Sequence, residues 1–166
     1  MNLDYYYLNI IKPKEGVCVL TSNKINGVIY LKEVINGTQI SGRVSGLMPF
    51  KKHGFHIHES GDLTDGCVSA CAHYNPFFKK HGGRESNERH VGDLGNLEGD
   101  HNGNCEFSFI DPLVRLFGDY SVIGRSIIIH EDEDDLGLGG KEDSLTTGHA
   151  GKRTVCGIIG YRKGCK

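Results

Sequence analysis

Short apolar runs alternate with turn residues along almost the whole chain. Val17–Thr21, Val28–Val34, Gln39–Ser45, His53–His58, Asp93–Leu97, Cys105–Ile110, Arg125–His130 and Val155–Tyr161 each read as a short strand. Asn26-Gly27, Asn36-Gly37 and Asn102-Gly103 stand before such runs. Asn-Gly between two runs is a strong hairpin signal, so tight turns are expected at these three places. Asp93–Leu97 is expected to pair with Cys105–Ile110. Arg125–His130 is β-branched at its centre, which predicts a buried strand. Eight short strands with regular turns predict an all-β antiparallel sandwich or barrel.

Two segments break the rhythm. Glu59–Gly92 and Glu131–Lys152 are long, polar and rich in Gly, Asp and His. Loops of that length in a compact domain are usually functional. Residues 15–166 therefore read as one domain carrying two functional loops, with residues 1–14 as an N-terminal extension.

Composition narrows the field. The chain has 166 residues and 24 glycines, which suits many turns and few long helices. A net charge of −2 gives no basic excess, so no nucleic-acid partner is expected. No apolar run approaches the ~20 residues of a membrane span. The first residues lack a basic segment and a small-residue cleavage site, so a cytoplasmic protein is expected. Reduced thiols are then the default for its six cysteines.

The histidines carry the chemistry. His56-Ile57-His58 lies on a strand, where side chains two apart face the same way and can meet one metal. His73, His81 and His90 follow in the first long loop, Asp93 comes three residues after His90, and His130 ends the apolar strand. Imidazole with an occasional carboxylate suits copper and zinc. Three nitrogens and one oxygen make a closed zinc site. Four histidines without thiolate suit copper that changes oxidation state. A zinc knuckle from Cys67, Cys71, His73 and His81 is the competing arrangement, but it leaves His56, His58, His90 and His130 without a role.

From Val17 to Gly160 the chain resembles the copper/zinc superoxide dismutase family. The resemblance is carried by Gly54-Phe55-His56-Ile57-His58-Glu59, Lys80-His81-Gly82-Gly83 and Glu88-Arg89-His90-Val91-Gly92-Asp93-Leu94-Gly95-Asn96. It continues in Ile123-Gly124-Arg125, His130-Glu131, Asp134-Asp135-Leu136-Gly137 and Cys156-Gly157-Ile158-Ile159-Gly160. It implies an eight-stranded Greek-key barrel that converts superoxide to dioxygen and hydrogen peroxide, with one copper and one zinc ion per subunit. Copper would alternate between two oxidation states on His56, His58, His73 and His130. Zinc would be structural on His73, His81, His90 and Asp93. His73 would bridge the two and store a proton, and Asp134 would link His56 to His81.

The resemblance also implies a Cys67–Cys156 disulfide against the compartment default, and an anion-guiding Arg153. Glu142, Asp143 and Thr147 match the family's electrostatic loop. Ser60, Ile123, Ile159 and Tyr161 fall where the family forms a homodimer. A copper chaperone is a further expected partner. Cys18 is expected to be a buried free thiol; Cys105 and Cys165 have no role in the family. Thr146 and Leu138 stand where lysines are frequent, with Lys141 or Lys152 as compensation, so slower and less salt-dependent turnover is expected. Cys71 replaces a common glycine four residues from Cys67, which raises disulfide exchange. Relatives that act as chaperones or inactive decoys typically lack copper ligands or the arginine. Simple metal storage would not need Arg153.

Overall fold

The computed structural model describes residues 15–164, so the expected N-terminal extension and Cys165 lie outside the described residues. The strands are β1 (Glu15–Thr21), β2 (Asn26–Val34), β3 (Gly37–Ser45), β4 (Lys52–His58), β5 (Thr64–Cys67), β6 (Asp93–Glu98), β7 (Cys105–Asp111), β8 (Ser126–His130) and β9 (Arg153–Tyr161). All but β5 form one sheet in the order β6-β4-β8-β9-β1-β2-β3-β7, every pair antiparallel. The sheet curls into a nearly closed barrel with β6 and β7 as its edges.

Alternation along the strands sorts the side chains. On β4, Phe55 and Ile57 enter the barrel core with Ile127 and Ile129 of β8, while His56 and His58 take the opposite face. Phe55 meets Phe107 edge to face at 5.4 Å between centroids. Ile128 points away from the core cluster yet is fully covered, because the long loops lie over this wall. β8 is therefore buried on both faces, as its run of isoleucines predicts.

The hairpin signals are only partly obeyed. Asn26 and Gly27 already belong to β2, paired with Ser45 and Val44. The turn is made one step earlier by Ser22, whose backbone N–H donates to Ile25 O and whose Oγ accepts the Ile25 N–H. Gly27 serves close approach instead: a Cβ there would lie 2.9 Å from the Arg43 carbonyl oxygen. Between β2 and β3 the two-residue turn is Ile35-Asn36, with Gly37 already paired to Val34. Asn102-Gly103 does form a turn, held by Asp100, whose Oδ1 accepts the N–H groups of Asn102 and Asn104.

Asp93–Glu98 pairs with β4, not with β7. β7 is taken by β3, which leaves the two segments at the seam of the barrel. The long loops hold structure that apolar periodicity does not reveal: β5, a single 3-10 turn at Val68–Ala70, and a short helix α1 at Ser144–Thr147. Among the described residues, no helix is long and apolar enough to cross a membrane.

Candidate metal centre

The strand register brings the expected ligands together. His56 stands opposite Asp93 across β4 and β6, beside a register shift that follows Gly54. His58 bridges to His73 in the first long loop. His130 ends β8, where a second shift sets it opposite Arg153. Such shifts re-aim side chains at a sheet rim.

His56, His58, His73 and His130 form one cluster, and His73, His81, His90 and Asp93 form another. Within each cluster one ligand atom per residue lies within 4.8 Å of all the others. His73 belongs to both, and its ring lies 4.0 Å from that of His56 between centroids. All seven residues are buried.

Hydrogen bonds at the back of each ring fix which nitrogen faces inward. His58 Nδ1 donates to Cys71 O at 2.8 Å, and His130 Nδ1 to Gly151 O at 3.2 Å. Their Nε2 atoms then face each other, 3.3 Å apart, as two lone pairs. His56 Nε2 donates to Asp134 Oδ2 at 2.7 Å and His81 Nε2 to Asp134 Oδ1 at 2.8 Å. One carboxylate thus orients a ring in each cluster. His56 Nδ1, His73 Nε2 and His81 Nδ1 are buried and have no hydrogen-bond partner. An unpaired buried nitrogen is costly, and a cation shared by converging lone pairs removes that cost. The donor sets therefore fit two metal ions: four imidazole nitrogens at one, three nitrogens and a carboxylate oxygen at the other.

Asp93 organises the second cluster. Its Oδ1 faces the Nδ1 atoms of His73, His81 and His90 at 2.9, 3.0 and 3.1 Å. Its Oδ2 accepts the backbone N–H groups of His90 and Gly82. Arg89 holds the same corner by donating to Asp93 O at 2.9 Å and to buried Asp111 Oδ2 at 2.7 Å.

The two clusters differ in charge. Burial drives His56 and His58 well below the ordinary imidazole value, helped by their neighbours His73 and His130. Burial also lowers His73, against the pull of Asp93, and takes His130 down to about 4. At His81 burial opposes protonation, but the hydrogen bond to Asp134 and the close Asp93 carboxylate outweigh it and raise the pKa to about 9. Burial alone would raise Asp93; hydrogen bonds from His73 and His90 and the close His81 ring hold it well below the carboxylate range.

Arg153 lies on β9 at the rim of the first cluster. Its Nη1 donates to Cys67 O at 2.7 Å and Val68 O at 3.1 Å, and its Nη2 to Cys71 O at 2.5 Å. The Cys67–Cys156 disulfide, with Cα atoms 5.6 Å apart, ties this loop to the same strand. Cys18 is fully buried, and burial pushes its thiol up to about 12. Asp143 accepts the Thr147 hydroxyl at 3.0 Å and pairs with His149 at 2.7 Å, while Glu142 is exposed. The partner for Asp143 is thus His149, which motif matching passes over.

Two glycines also escape the sequence reading. A Cβ on Gly54 would meet Ala150 Cβ at 2.7 Å and the His56 ring at 3.1 Å. On Gly148, which has φ +67°, it would lie 2.0 Å from Asp134 Oδ1 and 2.5 Å from His81 Nε2. Both keep space open around ligand rings. Ile159 needs correction as an interface residue. Strand alternation turns its side chain into the core with no exposure, and the neighbouring Ile158 faces outward. Tyr161 is exposed, and Ser60 and Ile123 are half-buried.

Fold and donor set together define a β-barrel protein with two histidine-rich clusters that share one ring, each able to hold a metal ion. The family model for copper/zinc superoxide dismutase (SODC) matches residues 25–159. A superoxide dismutase [Cu-Zn] of Paramecium bursaria Chlorella virus 1 is 53% identical over 156 residues, covering 94% of this chain and 83% of that protein. The superoxide dismutase [Cu-Zn] of Saccharomyces cerevisiae is 47% identical over 149 residues, covering 88% and 97%. A crystal structure described as that of the clock protein EA4 superposes with a TM-score of 0.87 at 40% identity, covering 90% of this chain and 96% of that one. The chain belongs to the copper/zinc superoxide dismutase family.

Proposed function

We propose that this protein is a superoxide dismutase with copper on His56, His58, His73 and His130 and zinc on His73, His81, His90 and Asp93. The observation that carries this reading is His73, which belongs to both clusters, with Nδ1 against Asp93 and Nε2 buried without a partner. Bound copper would supply a one-electron couple that oxidises one superoxide to dioxygen and reduces a second, which with two protons becomes hydrogen peroxide. His73 is the proton store: Nε2 can carry a proton while Nδ1 stays committed to the zinc side. Asp134 keeps His56 and His81 in the tautomers that present Nδ1.

Arg153 guides the anion. Three of its N–H groups are directed at carbonyls, which holds the guanidinium in place and leaves two to meet an anion. With a net charge of −2, attraction has to be local. Asp143 stands at the start of α1, its carboxylate accepting the Thr147 hydroxyl, and with Glu142 and Thr147 shapes the second long loop. Thr146 and exposed Leu138 in place of lysines make guidance weaker and less salt-dependent than where those lysines are present, with Lys141 and Lys152 as partial substitutes.

A homodimer through Ser60, Ile123, Tyr161 and Ile158, a copper chaperone as loading partner, and a cytoplasmic location complete the reading. Residues 15–166 form its single domain. Metal content and superoxide dismutation measured on one purified sample, before and after adding copper, test the proposal. Activity that rises with copper at constant zinc supports it. Full occupancy of both metals without activity refutes it and leaves metal storage.

A further inference from the structure

We propose that the segment Tyr5-Tyr6-Tyr7-Leu8-Asn9-Ile10-Ile11 of this chain docks on an aromatic surface made by Phe77, Phe78 and Tyr120, and so ties the residues before β1 to the first long loop. The surface joins two parts of the molecule. The Phe77 and Tyr120 rings lie 4.8 Å apart between centroids, one in the first long loop and the other in the connection from β7 to β8. Phe78 follows, 93% exposed and with φ 54°. A bulky residue keeps a positive φ only where its surroundings impose it. Here Asn75 imposes it: its side chain accepts the Lys79 N–H at 2.9 Å and donates to Lys79 O at 2.8 Å. The turn thus holds a large apolar ring out in water. Grouped exposed rings of this kind mark a contact surface.

The start of β1 brings the occupant to this place. Glu15 pairs with Lys32, and Glu33, next along β2, accepts the Leu116 N–H with its Oε1 at 2.6 Å. A Cβ on Gly16 would lie 3.5 Å from Ile123 Cδ1. Leu116 and Ile123 flank the turn that carries Tyr120, which is closed by a bridge between Arg115 and Ser121. The chain therefore enters β1 beside that turn. Ile11 stands four residues before Glu15 and Tyr5 ten. At ~3.3 Å per extended residue the segment reaches from about 13 Å to about 33 Å. Six of its seven residues are apolar or aromatic and none is charged. Burying them offsets the entropy of ordering a terminal segment. Tyrosine suits the contact, because its ring covers another ring while its hydroxyl stays in water. On the adjoining strand β9, exposed Ile158 and Tyr161 belong to the proposed homodimer face.

The test uses the full chain loaded with copper and zinc. A photoreactive benzophenone amino acid replaces Phe78 or, in a second protein, Tyr120. Irradiation should give a crosslink within one chain, mapped by peptide mass to residues 5–11. The same proteins carrying Leu8→Asp and Ile10→Asp should lose that crosslink and bind more of the apolar dye bis-ANS, because the surface is then uncovered. A crosslink that joins two chains puts a second copy on the surface and overturns the proposal. So does the absence of any crosslink to residues 5–11, or a crosslink whose yield is unchanged by the two aspartates. Should the Tyr120 replacement not fold, the exposed position 78 decides alone. No readout depends on turnover, so a protein without dismutase activity fails the functional reading and leaves this test intact.

Discussion

Four buried rings in one half of the metal centre converge on a space with no carboxylate among them, and burial keeps them neutral. In the other half three rings surround Asp93 Oδ1, and one of them, His81, has its pKa raised to about 9. The ring chemistry is the same; burial outweighs the single carboxylate beside His56 or His73, whereas His81 faces two. The first half is prepared for a cation by desolvation. The second carries a proton that a cation must displace. Asp134 reaches both halves, and His73 belongs to both, so neither is independent of the other.

The sharpest way to break this division is to remove the shared ring. His73→Ala should abolish zinc retention and lower dismutation by on the order of 10²–10⁴, the usual worth of a positioned acid–base group. Metal analysis and a rate assay on the same sample check it; normal zinc content would show that the halves do not depend on His73. Asp134→Asn should weaken metal affinity about 10–100-fold in both halves, as read by chelator competition. Loss in one half alone would mean that the carboxylate serves a single ring. Arg153→Glu should slow the reaction about tenfold or more at low salt with metal content unchanged, because it reverses the charge beside the four-histidine half only. An unchanged low-salt rate would place the guidance elsewhere.

Proton uptake separates the halves more finely. The folded pKa of His130, about 4, lies below the ~6.5 of an unfolded imidazole. Between those values the unfolded chain binds more protons, so this ring makes the metal-free fold less stable as pH falls from about 6.5 to 4. His81 behaves oppositely: its contribution is complete below about 6.5 and fades as pH rises through about 9. Urea midpoints of metal-free His130→Gln and His81→Gln proteins across pH should differ from the parent in these two windows. At pH 7, zinc loading should release more protons than copper loading, measured with a pH dye in weak buffer.

The ligand chemistry was more legible in the sequence than the path of the chain. His56-Ile57-His58 is readable because a strand has a strict two-residue period, and Phe55 and Ile57 reveal which face is the core. The turns were less so. Asn26-Gly27 has the composition of a hairpin, but Ser22 closes that hairpin with its own hydroxyl, and Gly27 answers to the Arg43 carbonyl on another strand. Adjacency in sequence suggests β7 as the partner of β6; the barrel gives it β4, which brings Asp93 opposite His56. Gly54, Gly148 and the Cys71 carbonyl act through space and through backbone, and no pattern of side-chain types announces them.

The barrel interior is sealed by Phe55, Ile57, Ile127 and Ile129, and His56, His58 and His130 hang on the outer side of the same strands. Holding the barrel together and gripping ions are thus assigned to opposite surfaces of one wall. Demetallation should leave the architecture standing and loosen chiefly the covering loops, so that ions can be fitted after the chain has folded.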